Sequence, residues 1–268
     1  MTPLPFELAA ATVLGREHAR AGRNNQDAFW ARASGHGLVA VVADGCGSGA
    51  QSELGAQLGA RRTVEGALAL LAEGVGVDSP LFLPRLEADV LCFLKALWGE
   101  LGEKALGEAL LFTLVGAVVT PAHVLVFSAG DGVWALNGEV HPLGPFPNNA
   151  PPYLAYGLLK PGAVSLKAQA LRPTAEVESL LLGTDGAADL GGLAAARLPE
   201  RDEPVGPLSQ FWSEDRYFTN PDSLRRRLAL LNREAVRADF PARRIERVPG
   251  LLSDDTTLVV LRRQAGRA

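Results

Sequence analysis

The stretch VVADGCGSG (Val41–Gly49) runs an apolar strand straight into an Asp-Gly pair and a cluster of small residues. The same grammar returns in VFSAGDG (Val126–Gly132) and LLLGTDG (Leu180–Gly186), and in mirror image in SDDTTLVV, where acids precede the strand. One Asp-Gly is an ordinary tight turn. The run before Asp44, Gly37 to Ala43, is apolar without alternation, which predicts a strand covered on both faces. Asp44, Asp131 and Asp185 thus fall at strand ends, whereas Asp27, Asp254 and Asp255 fall at strand starts. In an antiparallel sheet the end of one strand lies beside the start of its neighbour. The two kinds of position can therefore share one edge, which would crowd four or five carboxylates into a small volume.

The rest of the chain supports a sheet protein with helices outside it. Strands are predicted at Leu8 to Leu14 and Ala28 to Ala33, flanking a polar loop, and at Leu111 to Thr120, Val124 to Ser128, Ala163 to Ala170 and Glu178 to Gly183. The final TTLVVLRR is a β-branched strand. Helical spacing of apolar residues covers Gln51 to Gly74 and Leu86 to Leu101, and PDSLRRRLALLNREAVRADF reads as a further helix. The Asn-Gly of VWALNGEVHPL predicts a hairpin. Residues 142–160, rich in Pro and Asn, read as an ordered excursion from the sheet, and 199–219 as a loop. No repeat or linker asks for a second unit, so the expectation is one domain over 1–268 with its core at about 8–263.

Composition narrows the function. The 268 residues are 47% hydrophobic, with a formal net charge of −4, which leaves no basic footprint for nucleic acid. Only two cysteines, Cys46 and Cys92, occur, which suits a reducing compartment rather than a disulfide scaffold. The amino-terminal residues lack a basic region followed by a long apolar core, so no secretory signal is read. The most apolar stretch is broken by Pro121 and His123, so no membrane span is expected. A cytoplasmic protein is the expectation.

Carboxylates crowded on one edge raise one another's pKa unless a cation intervenes. Four His, with no pair at ligand spacing, and no Cys-x-x-Cys leave an oxygen-only donor set, which favours Mg²⁺ or Mn²⁺ over zinc. Two such ions about 4 Å apart suit in-line attack of water at phosphorus. Taken singly, each aspartate is as readily a turn residue, Asp131 above all.

In the order NQDA, VVADGCGSG, FTLVGAVVT…SAGDGVWAL, LLLGTDGAADL and DDTTLVVL, the motifs resemble the metal-dependent serine/threonine protein phosphatases of the PPM, or type 2C, family, in its bacterial branch. A GxxHxxxGxxNQDA pattern opens the domain here as Gly15, His18, Gly22, Asn25, Gln26, Asp27 and Ala28. The resemblance runs from about Gly15 to Leu261. It implies an α+β fold, a four-layer αββα sandwich of two mainly antiparallel sheets, with two Mg²⁺ or Mn²⁺ ions at one end. By motif match Asp44 bridges both ions, the Gly45 carbonyl binds the second, and Asp185 and Asp254 complete the first. Asp27 holds metal-bound water, and Asp131 is associated with a third, weaker ion. The implied reaction is hydrolysis of phosphoserine or phosphothreonine in a protein substrate by a metal-activated water, opposing a serine/threonine kinase.

Three positions depart from the pattern. Gln26 stands where many members have a ligating Glu, and a neutral oxygen holds an ion more weakly. Cys46 replaces a His that is a candidate general acid, and a thiol can give a proton in its place. The family's phosphate-binding Arg falls at Gly22, so Arg23, with Arg20 as the alternative, is expected to take its role. His18 orients the site loop or contacts substrate, and Tyr153 and Tyr156 supply a flap over it or pin a loop. The departures leave two other readings open: a catalytically weak domain that binds a phosphoprotein, and a small-molecule phosphohydrolase.

Overall fold

The computed structural model describes residues 4–241 and 243–264. The chain opens with β1 (Phe6–Val13), α1 (Arg16–Ala21), β2 (Asp27–Ala33), β3 (Leu38–Asp44), α2 (Ser52–Ala72), α3 (Phe82–Leu101) and α4 (Ala105–Ala109). It continues through β4 (Leu114–Val119), β5 (His123–Ala129), β6 (Gly132–Leu136), β7 (Glu139–Leu143), β8 (Lys167–Pro173) and β9 (Ser179–Gly183). Four short helices follow, α5 (Asp185–Asp189), α6 (Gln210–Ser213), α7 (Arg216–Thr219) and α8 (Ser223–Leu231). The last strands are β10 (Ala235–Asp239), β11 (Arg244–Val248) and β12 (Thr256–Arg263).

Two five-stranded sheets, β1-β12-β9-β6-β7 and β2-β3-β4-β5-β8, are antiparallel at every pairing. Alternation along the strands shows why they stack. In β3, Val39, Val41 and Ala43 pack with α2 and α3, while Leu38, Ala40 and Val42 pack against the other sheet. In β12, Leu258 and Val260 meet α5–α8, while Val259 and Leu261 face inward. Three apolar layers therefore separate helices, sheet, sheet and helices, which is the expected four-layer sandwich. Each fully buried Val or Leu contributes about 1.5–3 kcal/mol relative to exposure. An unalternating apolar strand is the sequence's mark of a layer buried on both faces.

Helix α2 lies close on its sheet because small residues face it: a Cβ at Gly59 would sit 2.1 Å from the Phe112 ring, and one at Gly55 would sit 2.0 Å from the Ala109 carbonyl oxygen. This fixes the end of the Gly45–Gln51 turn that leads out of Asp44. The Asn137-Gly138 hairpin forms as predicted between β6 and β7, with φ of 51° and 87° in the left-handed region that this pair favours. The excursion expected at 142–160 leaves the sheet only after β7, at Gly144, and returns to the body at the turn Leu154–Leu158, where Leu154 and Ala155 are buried against α3. No helix among the described residues is long and apolar enough to cross a membrane.

Several expectations need correction. The polar loop after β1 contains α1, which buries none of its residues and so carries no apolar period to read. The helix predicted through Phe240 stops at Leu231, and a separate hairpin, β10–β11, follows. Leu224, Leu228 and Leu231 are buried at helical spacing, and buried Ala235 continues that spacing from within a strand, which disguises the change. Region 199–219 holds α6 and α7 rather than loop alone, and β8 starts at Lys167 rather than Ala163.

Candidate active site

The two sheets present their acids at a common end. Asp27 and Asp44 are direct cross-strand partners, the first residue of β2 facing the last of β3. Gly183 pairs with Leu258, which brings Thr184 and Asp185 beside the residues that enter β12. Asp131 sits in the turn between β5 and β6. One cavity of about 390 Å³ is lined by Asp44, Asp131, Asp185 and Asp254, together with Gly45, Cys46 and Tyr153. Those four carboxylates share a wall that contains no Lys, Arg or His.

Burial pushes the Asp44 carboxyl well up, and the charges of Asp27, Asp185, Asp254 and Asp131 add to it. Asp185 is pushed up to about 7, first by burial and then by Asp254 and Asp131. Asp131 is raised, chiefly by burial. Asp27 lies behind Asp44, 4% exposed; burial raises it, against the hydrogen bond that Thr184 Oγ1 donates to its Oδ2 at 2.7 Å. That bond also ties one sheet to the other. The site is a set of acids that cannot all ionise unaided.

The loop after β3 is held by its backbone. Gly45 N donates to the Gln26 carbonyl (3.1 Å), Cys46 N to Leu111 (2.9 Å), and Gly49 N to Cys46 (2.8 Å). The Cys46 sulfur lies 3.2 Å from Ser48 Oγ. Burial opposes ionisation of this thiol, but hydrogen bonds from Ser48, Tyr153 and the Ser48 and Gly49 backbone together hold it below its ordinary value. Tyr153 is buried and packs edge-on against half-exposed Tyr156, with ring centroids 5.6 Å apart; both line the cavity. The Leu154–Leu158 turn that anchors them explains why this wall is fixed.

Asp255 is the residue that reading the sequence undervalued. It is 1% exposed and accepts from Gly15 N and Gln26 N, each at 2.6 Å, with His18 Nδ1 2.9 Å from its Oδ2. Its neighbour Asp254 is half-exposed and turned to the cavity. Close approaches made by glycine frame this pair: a Cβ at Gly15 would lie 2.3 Å from the Asp254 carbonyl carbon, and one at Gly186 would lie 2.1 Å from the Asp255 carbonyl oxygen. The DD pair announces an acid at this place but not which one faces inward. Thr184, the other residue that was missed, carries no signal beyond standing before Asp185.

The remaining expected residues separate. Gln26 is buried with its Nε2 on the Gly49 carbonyl at 3.2 Å and does not line the cavity. Arg23 Nη1 donates to the Gly47 carbonyl, which places it at the rim of the loop. Arg20 pairs with Glu17 (3.1 Å) and lines a different cavity, so the alternative phosphate ligand is not at this site. His18, Asp254 and Asp255 offer ligand atoms within 4.8 Å of one another. Buried Oδ1 of Asp27, Oε1 of Gln26 and Oδ1 of Asp131 have no hydrogen-bond partner among the described residues. Unpartnered oxygens beside mutually repelling carboxylates are the donor set of a hard, partly hydrated divalent cation, and they fit Mg²⁺ or Mn²⁺.

The fold has counterparts among solved structures. The serine/threonine phosphatase Stp1 from Staphylococcus aureus is 14% identical, with 97% of this chain and 95% of that one covered at a TM-score of 0.56. The Mycobacterium tuberculosis serine/threonine phosphatase PstP/Ppp is 16% identical over 97% and 99% of the two chains, TM-score 0.54. The catalytic domain of PstP in complex with two manganese ions is 18% identical over 96% and 97%, TM-score 0.52. At these identities the likeness is one of fold. No curated protein matches the chain in sequence. The profile of the family Protein phosphatase 2C matches residues 14–230, from before α1 to the end of α8. That span is most of the chain, and it carries Asp27, Asp44, Asp131 and Asp185 in order: the chain belongs to the protein phosphatase 2C family and is a phosphoprotein phosphatase of that fold.

Proposed function

We propose that the chain hydrolyses phosphoserine and phosphothreonine in intracellular phosphoproteins, opposing a serine/threonine kinase, with two Mn²⁺ or Mg²⁺ ions at the acid edge. One observation carries this reading: four carboxylates line a cavity whose wall contains no cationic side chain. A phosphate dianion is repelled from such a cavity until cations occupy it. Asp44, Asp185, Asp254 and the Gly45 carbonyl would hold the two ions, with Asp27 and Gln26 behind them and Asp131 serving a third, weaker one. When bound, such ions supply Lewis acidity to water and to the phosphoryl oxygens. The chain's own groups do the rest. Arg23 has guanidinium N–H groups left over for phosphate beyond the one on Gly47. The Cys46 thiol stands at the mouth to protonate the leaving alkoxide, and Tyr153 and Tyr156 form the wall along which a peptide lies. A module that only bound phosphoprotein would have no use for uncompensated acids, which disfavours that alternative.

The test is hydrolysis of a phosphothreonine peptide, and of a free phosphometabolite, with Mn²⁺, with Mg²⁺ and with excess chelator. Metal-dependent turnover of the peptide that Asp44→Ala lowers by at least about 10³-fold is the expected result, since the residue serves both ions. Turnover that survives the chelator or the substitution would refute the reading.

A further inference from the structure

A second cavity, of about 610 Å³, opens on the other side of α1, between the end of β1 and α8. Its charged lining is Arg16, Arg20, Arg225 and Glu234. Acids outside the cavity hold each arginine. Glu17 Oε1 accepts from Arg16 Nε (2.8 Å) and Arg20 Nη1 (3.1 Å), and Asp222 accepts from Arg225 Nε (2.7 Å) and Nη2 (3.1 Å). Arg16 Nη1 is spent on the Gly250 carbonyl at 2.7 Å. Arg16 Nη2, Arg20 Nε and Nη2, and Arg225 Nη1 make no hydrogen bond among the described residues. Glu234, the one acid in the lining, lies 3.4 Å from Arg247. Three guanidinium groups with unspent N–H donors line one ligand-sized cavity, and such donors suit the oxygens of a phosphate.

Helix α1 separates this cavity from the acid edge and touches both. Its first-turn N–H groups hold the residues before the acid pair, Arg16 N on Leu252 O (3.0 Å) and Glu17 N on Ser253 O (3.1 Å). His18, between the two arginines in sequence, lies 2.9 Å from Asp255 Oδ2 and 3.8 Å from Asp254 Oδ1. A ligand that draws Arg16 and Arg20 toward α8 therefore pulls on the element that positions Asp254. We propose that this cavity binds a small phosphate-bearing anion, and that α1 carries its occupancy to the Asp254–Asp255 pair. The second half rests on the metal reading above; the first does not.

The probe is inorganic phosphate, titrated calorimetrically at constant ionic strength into the metal-stripped full chain, whose acid edge then repels it. Saturable one-to-one binding is expected. It should weaken at least 10-fold in Arg225→Gln and further in Arg20→Gln/Arg225→Gln, and stay unchanged in Arg172→Gln, an exposed arginine elsewhere. Absence of saturable binding, or equal binding by the double variant, would overturn the site whatever the enzyme assay shows. In the second arm Mn²⁺ is titrated with and without phosphate. A phosphate-dependent change in Mn²⁺ affinity larger in the wild type than in the double variant supports transmission, because linkage is reciprocal and phosphate at the metal-loaded acid edge contributes equally to both. A change of equal size in the two proteins overturns it.

Discussion

Removing metal should make this protein's stability fall as pH rises through neutrality, the reverse of ordinary acid denaturation. In the folded chain Asp185 titrates at about 7 rather than 3.8, chiefly through burial and then through the charges of Asp254 and Asp131. A carboxyl whose folded value is raised binds its proton more tightly in the folded state. Its contribution is thus fully present below about 4 and lost as pH climbs through about 7. The difference between 3.8 and about 7 converts to about 4 kcal/mol, of which about 3 kcal/mol falls between pH 5 and 8. Asp44 and Asp27 shift the same way and deepen the loss. For a chain of this size about 3 kcal/mol corresponds to a fall of roughly 6–12 °C in Tm. The assay is urea and thermal unfolding at pH 5, 6, 7 and 8, in chelator and in excess Mn²⁺. Cations binding only the folded state should flatten the slope and raise stability at pH 8. Asp185→Asn, which removes the titration, should be more stable than wild type in chelator at pH 8, with the gap about 3 kcal/mol smaller at pH 5. A metal-free protein equally stable at pH 5 and pH 8, or an Asp185→Asn variant no firmer than wild type at pH 8, would show that these acids are not electrostatically frustrated.

Two further substitutions separate structure from chemistry. Asp255→Ala leaves the Gly15 and Gln26 N–H groups without their buried acceptor; it should cost about 2–5 kcal/mol in urea unfolding with metal absent. Cys46→Ala should leave Mn²⁺ affinity unchanged and lower kcat for phosphothreonine peptide by about 10²-fold, while hardly touching an aryl phosphate whose leaving group needs no proton. Equal losses on both substrates would remove the thiol from proton transfer.

The layers were legible because they rest on the strongest local signal a chain offers. β3, β9 and β12 are short apolar runs without alternation, and each sends successive side chains into different apolar layers. Antiparallel pairing then brings strand ends and strand starts together within each sheet, Asp44 beside Asp27 and Asp185 near Asp254, whereas the meeting of the two pairs comes from how the sheets stack, which element order does not give. What stayed hidden has a common physical form. Helix α1 buries nothing, so no hydrophobic period marks it, yet its N–H groups and His18 hold the acid pair in place. Asp255 is indistinguishable in type from Asp254, and only the path of the backbone turns one to the cavity and buries the other. Arg20 and Arg23 are three residues apart beside the same motif, but Arg20 belongs to the far side of α1. Spacing reports which face of a regular element a residue occupies; in an irregular approach such as Gly15–Gln26 it reports nothing. The acids that carry charge were therefore readable, and the groups that aim them were not. It follows that changes in such a site's strength should arise in the exposed middle of the approach segment, residues 20–24, where no core packing opposes substitution, sooner than in the strands that carry its ligands.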